Sequence, residues 1–289
     1  MYYYVINPAA GKGKINQVQE KLRTRLRELG IDGEFAKTTG PKDATKMVKM
    51  AIEKGYNTVV VVGGDGTVNE AVNGITKENV AVGIIPMGIS NFLAHRLGIT
   101  GWQQACEVLA ARRISSFGLI AAGQKYFLST LTLGFETDLD KQVETAEGTS
   151  LTGRLGQFWQ GWGHAQNYEP LSCKITIDNN LELEAPLFSL SITNQKFDHP
   201  LADNRLIVTL FDKPSQRQLT SYLWRVLKKD YIEDGFSRFG AKRVVIETTP
   251  PTGLMIDGQV SSRTPIAIRL TNRQIRFITE KPDTSFKSE

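Results

Sequence analysis

The chain has 289 residues, of which 40% are hydrophobic and 22% charged. This is enough for two domains of ordinary size, and it excludes a small disulfide-stapled scaffold and a disordered chain. The formal net charge of +5 at pH 7 fits phosphate-bearing or anionic-membrane partners without selecting one. Cys106 and Cys173 are not spaced for a disulfide framework or a zinc site. Because the sequence shows neither a signal peptide nor an apolar run of membrane-spanning length, we expect a cytoplasmic protein whose membrane contact is peripheral.

The first third of the sequence alternates strand-like and helix-like segments. Residues 2–6 form a predicted strand, and helices are predicted over 15–29 and 43–53 from apolar residues at helical spacing. Residues 58–62 are an unbroken run of strand-forming residues, and residues 81–85 repeat this arrangement. A glycine-bearing loop and a further helix follow each of these two runs. The alternation predicts an α/β domain with a mostly parallel sheet.

Beyond about residue 113, strand-like runs separated by turn signals take over. We predict strands at 126–133, 173–177, 181–183, 187–193, 206–210, 244–248 and 266–270, and helical insertions near 155–162 and 217–228. A hairpin turn is predicted at Asp178-Asn179-Asn180. The sequence thus predicts an α/β domain over 1–113 and a mostly antiparallel, β-sandwich-like domain over 114–289, with a last strand that can return to the first domain.

The loop from Gly63 to Glu70 has the composition of a phosphate-binding turn. Adjacent glycines leave backbone N–H groups open to an anion, and the helix that begins near Thr67 directs the positive end of its dipole to the same place. Asp65 adds a carboxylate there, which suits a residue that acts through Mg²⁺ or accepts a proton from a hydroxyl nucleophile. Taken alone, the loop is equally compatible with a plain strand-to-helix turn capped by an aspartate.

Two companion loops favour a nucleotide site over a plain turn. Residues 7–13 follow the first strand and include Lys12, whose charge can offset that of phosphate, and residues 86–91 follow the strand at 81–85. The carboxyl ends of parallel strands meet at one edge of a sheet, where ligands bind. The three loops therefore predict a nucleotide site at that edge. The sequence contains no P-loop, no GxGxxG turn and no protein-kinase signature.

The segments NPAAGKG, VVVVGGDGTVNEAVNGI and IPMGISNFLAHRLGI, in this order and at this spacing, resemble the catalytic domain of the diacylglycerol kinase family, in its bacterial soluble lipid-kinase and sphingoid-kinase branch. The resemblance continues weakly at 126–128 and 133–135 and again at Asp257-Gly258-Gln259, so it covers most of the chain. It implies an NAD-kinase-like α/β domain, a β-sandwich-like second domain and an active cleft between them. It also implies a lipid kinase that uses ATP and Mg²⁺ to phosphorylate a hydroxyl of a diacylglycerol-like or long-chain-base lipid.

The resemblance further implies roles for individual residues. Asp65 and Asp257 would be catalytic, and Asp65 would interact with the metal directly or through water. The residues implied to bind the nucleotide are Asn7, Gly11, Lys12, Gly63, Gly64, Gly66, Thr67, Glu70, Gly88, Asn91 and Gly258. The implied partner is a lipid substrate at the membrane surface. Whether the protein forms a homodimer is not decided by the resemblance. No nucleic acid is expected, because the basic pairs at 228–229 and 242–243 are not interleaved with stacking aromatic residues.

Three positions depart from the usual pattern of this family. Ile89 stands in place of a threonine, Phe92 in place of an aspartate, and Gln259 in place of a glutamate to which the family's general-base role has been assigned. An amide cannot take a proton at physiological pH, so Gln259 cannot act in that way. These departures favour an alternative, a catalytically impaired member that binds nucleotide or lipid. A third hypothesis is an NAD kinase, which also carries a GGDGT loop after a strand, although the NPAAGKG opening fits the lipid branch better.

Overall fold

The computed structural model describes residues 2–88, 91–135, 137–138, 161–194, 205–215, 218–221, 223, 237–257 and 259–280. Within these residues the strands form two sheets, one of ten strands and one of six. The smaller sheet packs against one half of the larger sheet, and helices cover the other half.

Four strands alternate with helices in the N-terminal third. The strands are β1 (Tyr2–Ile6), β2 (Gly33–Lys37), β3 (Thr58–Gly63) and β4 (Ala81–Pro86). The helices are α1 (Ala10–Glu28), α2 (Asp43–Glu53), α3 (Asp65–Gly74), α4 (Phe92–Arg96) and α5 (Trp102–Ala111). The strands pair in parallel in the order β2, β1, β3, β4, which confirms the predicted α/β class. Every residue of β3 and β4 is buried, as apolar strands in a helix-covered parallel sheet must be.

The rest of the described chain is mostly strand. The strands are β5 (Ile114–Ala122), β6 (Lys125–Phe127), β7 (Thr130–Gly134), β8 (Leu171–Ile177), β9 (Leu181–Leu187), β10 (Ser189–Asn194), β11 (Leu206–Phe211), β12 (Ser237–Ala241), β13 (Arg243–Thr249), β14 (Gly253–Ile256), β15 (Gln259–Arg263) and β16 (Ile266–Ile278). All pairings among them are antiparallel. Apolar side chains from both sheets, among them Leu131, Ile192 and Val244, share one core. This arrangement confirms the predicted sandwich-like second region.

The larger sheet continues from the first region into the second. Its order is β2, β1, β3, β4, β16, β13, β8, β9, and β5 pairs with β16 and β6. The last residues of β16 pair in parallel with β4, whereas its first residues pair with β13. One sheet therefore runs across residue 113, and the domain boundary placed there stays a prediction.

Local predictions in the second region had mixed outcomes. The hairpin turn at 178–180 is confirmed, because it joins β8 to β9 and Asp178 and Asn179 have the positive φ values of 49° and 62° that a tight hairpin needs. The single strand predicted at 126–133 is wrong, since β6 ends at Phe127 and β7 begins at Thr130. Of the helical insertions, residues 155–160 and 224–228 lie outside the described residues, and helix is present at 161–167 and 218–221.

Two further features bear on the expected environment of the protein. Among the described residues, no helix combines the length and the apolar composition needed to cross a membrane. Cys106 and Cys173 are both buried with free thiols, and burial raises the pKa of each to about 11. These thiols stay neutral at physiological pH and serve as core residues.

Candidate active site

Three loops that follow β1, β3 and β4 lie against one another at one edge of the parallel sheet. We call them the first loop (7–13), the second loop (63–67) and the third loop (87–91). A Cβ atom added to Gly11 would lie 2.1 Å from the carbonyl oxygen of Met87, and one added to Gly88 would lie 2.6 Å from the Cα atom of Gly64. The first and third loops, and the third and second, are therefore in backbone contact that a side chain would prevent.

The first loop turns sharply before α1 continues as a regular helix. Gly11, Lys12 and Gly13 all have positive φ values, of 56°, 58° and 81°, a conformation in which a side chain such as that of Lys12 is strained. The side chain of Asn7 accepts a hydrogen bond from the N–H of Ala9 (3.0 Å) and donates one to the Thr67 hydroxyl (2.9 Å). Asn7 thus ties the first loop to the second.

The second loop connects a buried strand directly to α3. Gly64 precedes the helix, and Gly66 and Thr67 lie in its first turn. Gly63 leaves room for Thr67, since a Cβ atom added to Gly63 would lie 2.8 Å from the threonine hydroxyl oxygen. The carbonyl of Gly63 accepts a hydrogen bond from the N–H of Met87 at 2.9 Å. The first N–H groups of a helix have no partner within the helix and carry partial positive charge. This end of α3 is therefore suited to an anion.

The third loop is closed by its own asparagine. Asn91 has a φ of 48°, accepts the N–H of Gly88 at 2.7 Å and donates to the Gly88 carbonyl at 2.8 Å. These two hydrogen bonds hold Gly88 against the second loop. Ile89, one of the three departures, lies outside the described residues, and direct contact between Asn91 and a nucleotide stays a prediction.

Asp65 lies where the second loop meets α4. One of its carboxylate oxygens accepts the N–H of Phe92 and the other accepts the N–H of Leu93, both at 3.0 Å. Each carboxylate oxygen can accept a second partner, so the residue stays able to bind a metal or a hydroxyl. The Phe92 side chain is buried beneath the guanidinium of Arg96, 5.4 Å from the ring centroid, so this departure supplies packing instead of a second carboxylate.

Asp257 is held in a different way, at the turn after β14. Only 4% of it is exposed, and its carboxylate accepts the N–H groups of Leu128 (2.9 Å), Ser129 (2.8 Å) and Thr130 (3.0 Å). Burial raises the pKa of Asp257, and the negative charge of Asp65 raises it further. The three N–H groups act in the opposite direction and lower this pKa. The two carboxylates are therefore close enough to interact. Asp257 anchors residues 128–130, which explains why the chain there is not one continuous strand.

Of the other predicted site residues, Glu70 contacts α2 and not the three loops, and Gly258 lies outside the described residues. Glu70 accepts the N–H of Lys42 at 2.9 Å, and its carbonyl accepts the Thr45 hydroxyl at 2.7 Å, so it joins α3 to α2. The backbone of Gln259 pairs with Ile256. The nucleotide contacts assigned to Glu70 and Gly258 stay predictions.

One connecting residue was missed by the sequence analysis. The side-chain amide of Asn73 donates to the carbonyl of Tyr126 at 3.0 Å and accepts its N–H at 2.9 Å, so α3 is joined to β6. An asparagine inside a helix is the one signal that could have indicated this, because asparagine has a poor helix propensity and favours partners outside the helical ladder.

The described residues contain no cluster of three or more histidine, cysteine, aspartate or glutamate side chains that could hold a metal ion. Mg²⁺ is commonly bound by one or two carboxylates together with phosphate oxygens of a substrate and water. The presence of Asp65 beside the three loops fits that mode and does not fit an all-protein metal cage.

Comparison with known proteins supports the resemblance. Residues 1–122 match the model of the diacylglycerol kinase catalytic domain. The chain is 24% identical over 290 residues to a diacylglycerol kinase of Bacillus subtilis, covering 96% of this chain and 95% of that protein. It is 23% identical over 289 residues to a diacylglycerol kinase of Staphylococcus haemolyticus, covering 96% and 87%.

The fold has a counterpart among solved structures. The crystal structure of a diacylglycerol kinase from Bacillus anthracis is 21% identical, covers 96% of both chains and superposes with a TM-score of 0.73. The architecture is therefore shared over nearly the whole length, including the second sheet. Together with the loops that gather around Asp65, these findings show that residues 1–122 match a diacylglycerol kinase catalytic domain and that the whole chain is similar to bacterial diacylglycerol kinases.

Proposed function

We propose that this protein transfers the γ-phosphoryl group of ATP to a hydroxyl of a diacylglycerol-like or long-chain-base lipid. The observation that carries the proposal is the contact of the three loops around Asp65 at the carboxyl edge of the parallel sheet. Lipid kinases use nucleoside triphosphates, so the match to a diacylglycerol kinase catalytic domain supports ATP as the donor. The names of the relatives, which are diacylglycerol kinases, support a lipid alcohol as the acceptor.

The three loops are built to bind a chain of phosphates through their backbone. Gly64 and Gly88 leave no side chain between the loops, so N–H groups can face an anion directly. The N-terminal end of α3 directs partial positive charge to the same edge. When bound, ATP supplies the phosphoryl group and Mg²⁺ neutralises charge on it. In such reactions, positioning and electrostatic stabilisation provide most of the acceleration.

Asp65 is the residue best placed to act on the reacting groups. It is partly exposed and fixed in direction by the N–H groups of Phe92 and Leu93. A carboxylate held in this way can orient a metal ion or accept the proton of the attacking hydroxyl. The buried Asp257 instead holds residues 128–130 of the second region beside it. The lipid hydroxyl would then approach from the side of the second region.

Membrane contact is part of the proposal, because the acyl chains of such substrates keep them in a bilayer. The net charge of +5 favours approach to an anionic membrane surface. We propose that the protein works at the cytoplasmic membrane surface as a peripheral enzyme.

The test is a phosphorylation assay with γ-labelled ATP and Mg²⁺ in mixed micelles. The acceptors are diacylglycerol, monoacylglycerol, sphingosine and ceramide, and NAD is tested in the same assay without micelles. We expect labelled product from at least one of the lipids and none from NAD. Labelled NADP would instead favour the NAD kinase hypothesis, and no transfer to any acceptor would contradict the proposed function.

The alternative of a catalytically impaired binding protein is favoured by Phe92, which supplies no carboxylate beside Asp65, and by the amide of Gln259. The variant Gln259→Glu introduces the acid that the family resemblance implies at this position. If the wild type turns over slowly and this variant gains at least tenfold in rate, the wild type is impaired. Robust turnover by the wild type would exclude this alternative. Gln259→Leu serves as a matched control, because it changes the same position without adding a proton acceptor.

A further inference from the structure

The Asn73 side chain joins the helix of the second loop to the second region. Its amide forms a reciprocal pair of hydrogen bonds with the backbone of Tyr126, at 3.0 and 2.9 Å. The only strand that pairs with β6 among the described strands is β5. The amide of Asn73 therefore takes the place of a neighbouring strand at Tyr126.

Arg273 completes this contact, which we call the Asn73 junction (Asn73, Tyr126 and Arg273). Its guanidinium lies 4.6 Å from the centroid of the Tyr126 ring and donates to the carbonyl of Ile75 at 2.7 Å. Arg273 belongs to β16, within the stretch between 270 and 274 where the pairing with β5 shifts register. The junction thus fixes the end of α3, β6 and β16 against one another.

The junction lies between the two aspartates along a short path. Asp65 and Asn73 belong to the same helix, whose eight intervening steps span about 12 Å. From Tyr126 the chain reaches Leu128 in two residues, and the N–H of Leu128 is bound by Asp257. Phe127 packs in the core of the sandwich and Leu128 in the core of the parallel sheet, both almost fully buried. Each link is a helix, a hydrogen-bonded pair or a buried segment, so none has much freedom to move.

We propose that Asn73 is a positioning residue that sets the distance between Asp65 and residues 128–130 of the second region. This inference rests on the proposed kinase function and adds to it the element that aligns its two halves. Asn73 itself is not placed against the reacting groups. A displacement of about 1 Å between reacting groups, caused by a change far from the chemistry, can lower the rate of an enzyme by about 100-fold. Loss of the Asn73 amide should therefore lower turnover while nucleotide binding, which depends on the three loops, is retained.

The experiment compares Asn73→Ala with Thr45→Val in the full-length protein. Thr45 also anchors α3 through one side-chain hydrogen bond, to the carbonyl of Glu70 at 2.7 Å, but it binds α3 to α2 and not to β6. We expect Asn73→Ala to lower kcat about 10- to 100-fold, with KM for ATP and the affinity for a fluorescent ATP analogue within about twofold of wild type. Thr45→Val removes one hydrogen bond where Asn73→Ala removes a pair, so it should lower the melting temperature by no more than Asn73→Ala does and keep kcat within about twofold. Equal kcat values for the two variants would overturn the inference.

Hydrogen–deuterium exchange supplies a readout that does not depend on activity. In Asn73→Ala, the amides of residues 128–130 should exchange faster than in the wild type, and in Thr45→Val they should not. Unchanged exchange at 128–130 in Asn73→Ala would overturn the inference even if kcat falls. A wild type that phosphorylates no acceptor contradicts the proposed function alone, and the exchange result then decides whether Asn73 fixes this segment.

Discussion

The two aspartates of the site differ in how the fold holds them. Asp65 accepts one N–H on each oxygen from the start of α4 and is partly exposed. Asp257 accepts three N–H groups from residues 128–130 and is almost entirely buried. The first can change partners at little cost, whereas the second cannot do so without loosening the segment that it binds. We therefore expect changes at Asp65 to affect turnover and changes at Asp257 to affect stability first.

The largest effect should come from Asp65→Asn. The amide keeps the shape and one oxygen acceptor for the N–H groups of α4 but loses the negative charge, so we expect a fall in kcat of about 1,000-fold, the scale on which electrostatic groups of active sites act. The melting temperature should stay close to that of the wild type. Steady-state kinetics and a thermal unfolding curve check both parts. Equal turnover in the variant and the wild type would show that Asp65 does not act on the reacting groups.

Asp257→Ala should reduce stability more than Asp65→Asn does. It leaves three N–H groups buried without an acceptor, and each buried donor left without a partner costs about 1–3 kcal/mol. Asp257→Asn keeps one oxygen and should cost less. Urea denaturation of both variants tests this order, and an alanine variant as stable as the wild type would contradict the anchoring role.

The pH dependence of that loss sharpens the comparison. Burial raises the pKa of Asp257 above its ordinary value of 3.8, so the unfolded chain releases the proton at lower pH than the folded chain does. The contribution of Asp257 to the free energy of unfolding is therefore fully present below about pH 3.8 and declines as the pH rises through the higher folded-state pKa. The difference in unfolding free energy between wild type and Asp257→Ala should shrink from pH 4 to pH 7. A growing difference would show that the three N–H groups outweigh burial.

Gly88→Ala tests the contact between loops, with an intermediate effect. The added methyl group would lie 2.6 Å from the Gly64 Cα atom, so the second and third loops must separate. We expect a loss of nucleotide affinity of about tenfold or more, because the N–H groups that converge on an anion would move apart. Gly40→Ala is the matched control, since a Cβ atom there meets nothing within 4 Å. Equal affinities in the two variants, measured by titration calorimetry with ATP, would contradict the proposed binding edge.

Asp43→Asn should give the smallest effect and the reverse pH dependence. Hydrogen bonds from Thr39, through its side chain and its N–H, and from the N–H of Gly40 lower the pKa of Asp43 below its ordinary value of 3.8. Its contribution to stability is therefore present above that value and is lost as the pH falls through the lowered pKa. The difference between wild type and variant should be larger at pH 7 than at pH 3, as measured by urea denaturation. A difference that shrinks with rising pH would show that this carboxylate resembles Asp257 instead.

Much of the parallel sheet could be predicted from the sequence, because its buried strands carry unbroken apolar runs. The bounds predicted for β1, α2, β3 and β4 agree with the structure within a residue or so. Strand β2 was missed, since all five residues of Gly33–Lys37 are exposed or partly exposed at the edge of the sheet and show no apolar pattern. Strand β5 was also missed, because it contains two serines and a glycine in its first half. Its last four residues are nevertheless buried.

The candidate site was less completely predictable. Glycines after buried strands indicated all three loops, because glycine has no side chain and so allows two backbone segments to come into direct contact. The anchoring of residues 128–130 by Asp257 could not be predicted, because it joins positions more than 120 residues apart in sequence. The pairing of Asn73 with Tyr126 has the same difficulty, as neither residue belongs to a spacing pattern.

Strand β16 also limits how this protein can be divided. Residues 1–122 correspond to the catalytic-domain family model, but β4 pairs on its outer side with Arg276 and Phe277, near the end of the described chain. A fragment that stops at residue 122 would leave the edge of a fully apolar strand without its neighbour. Such open edges template association between molecules. Attempts to produce the N-terminal half by itself should therefore give aggregates, unless the C-terminal strand is grafted back beside β4.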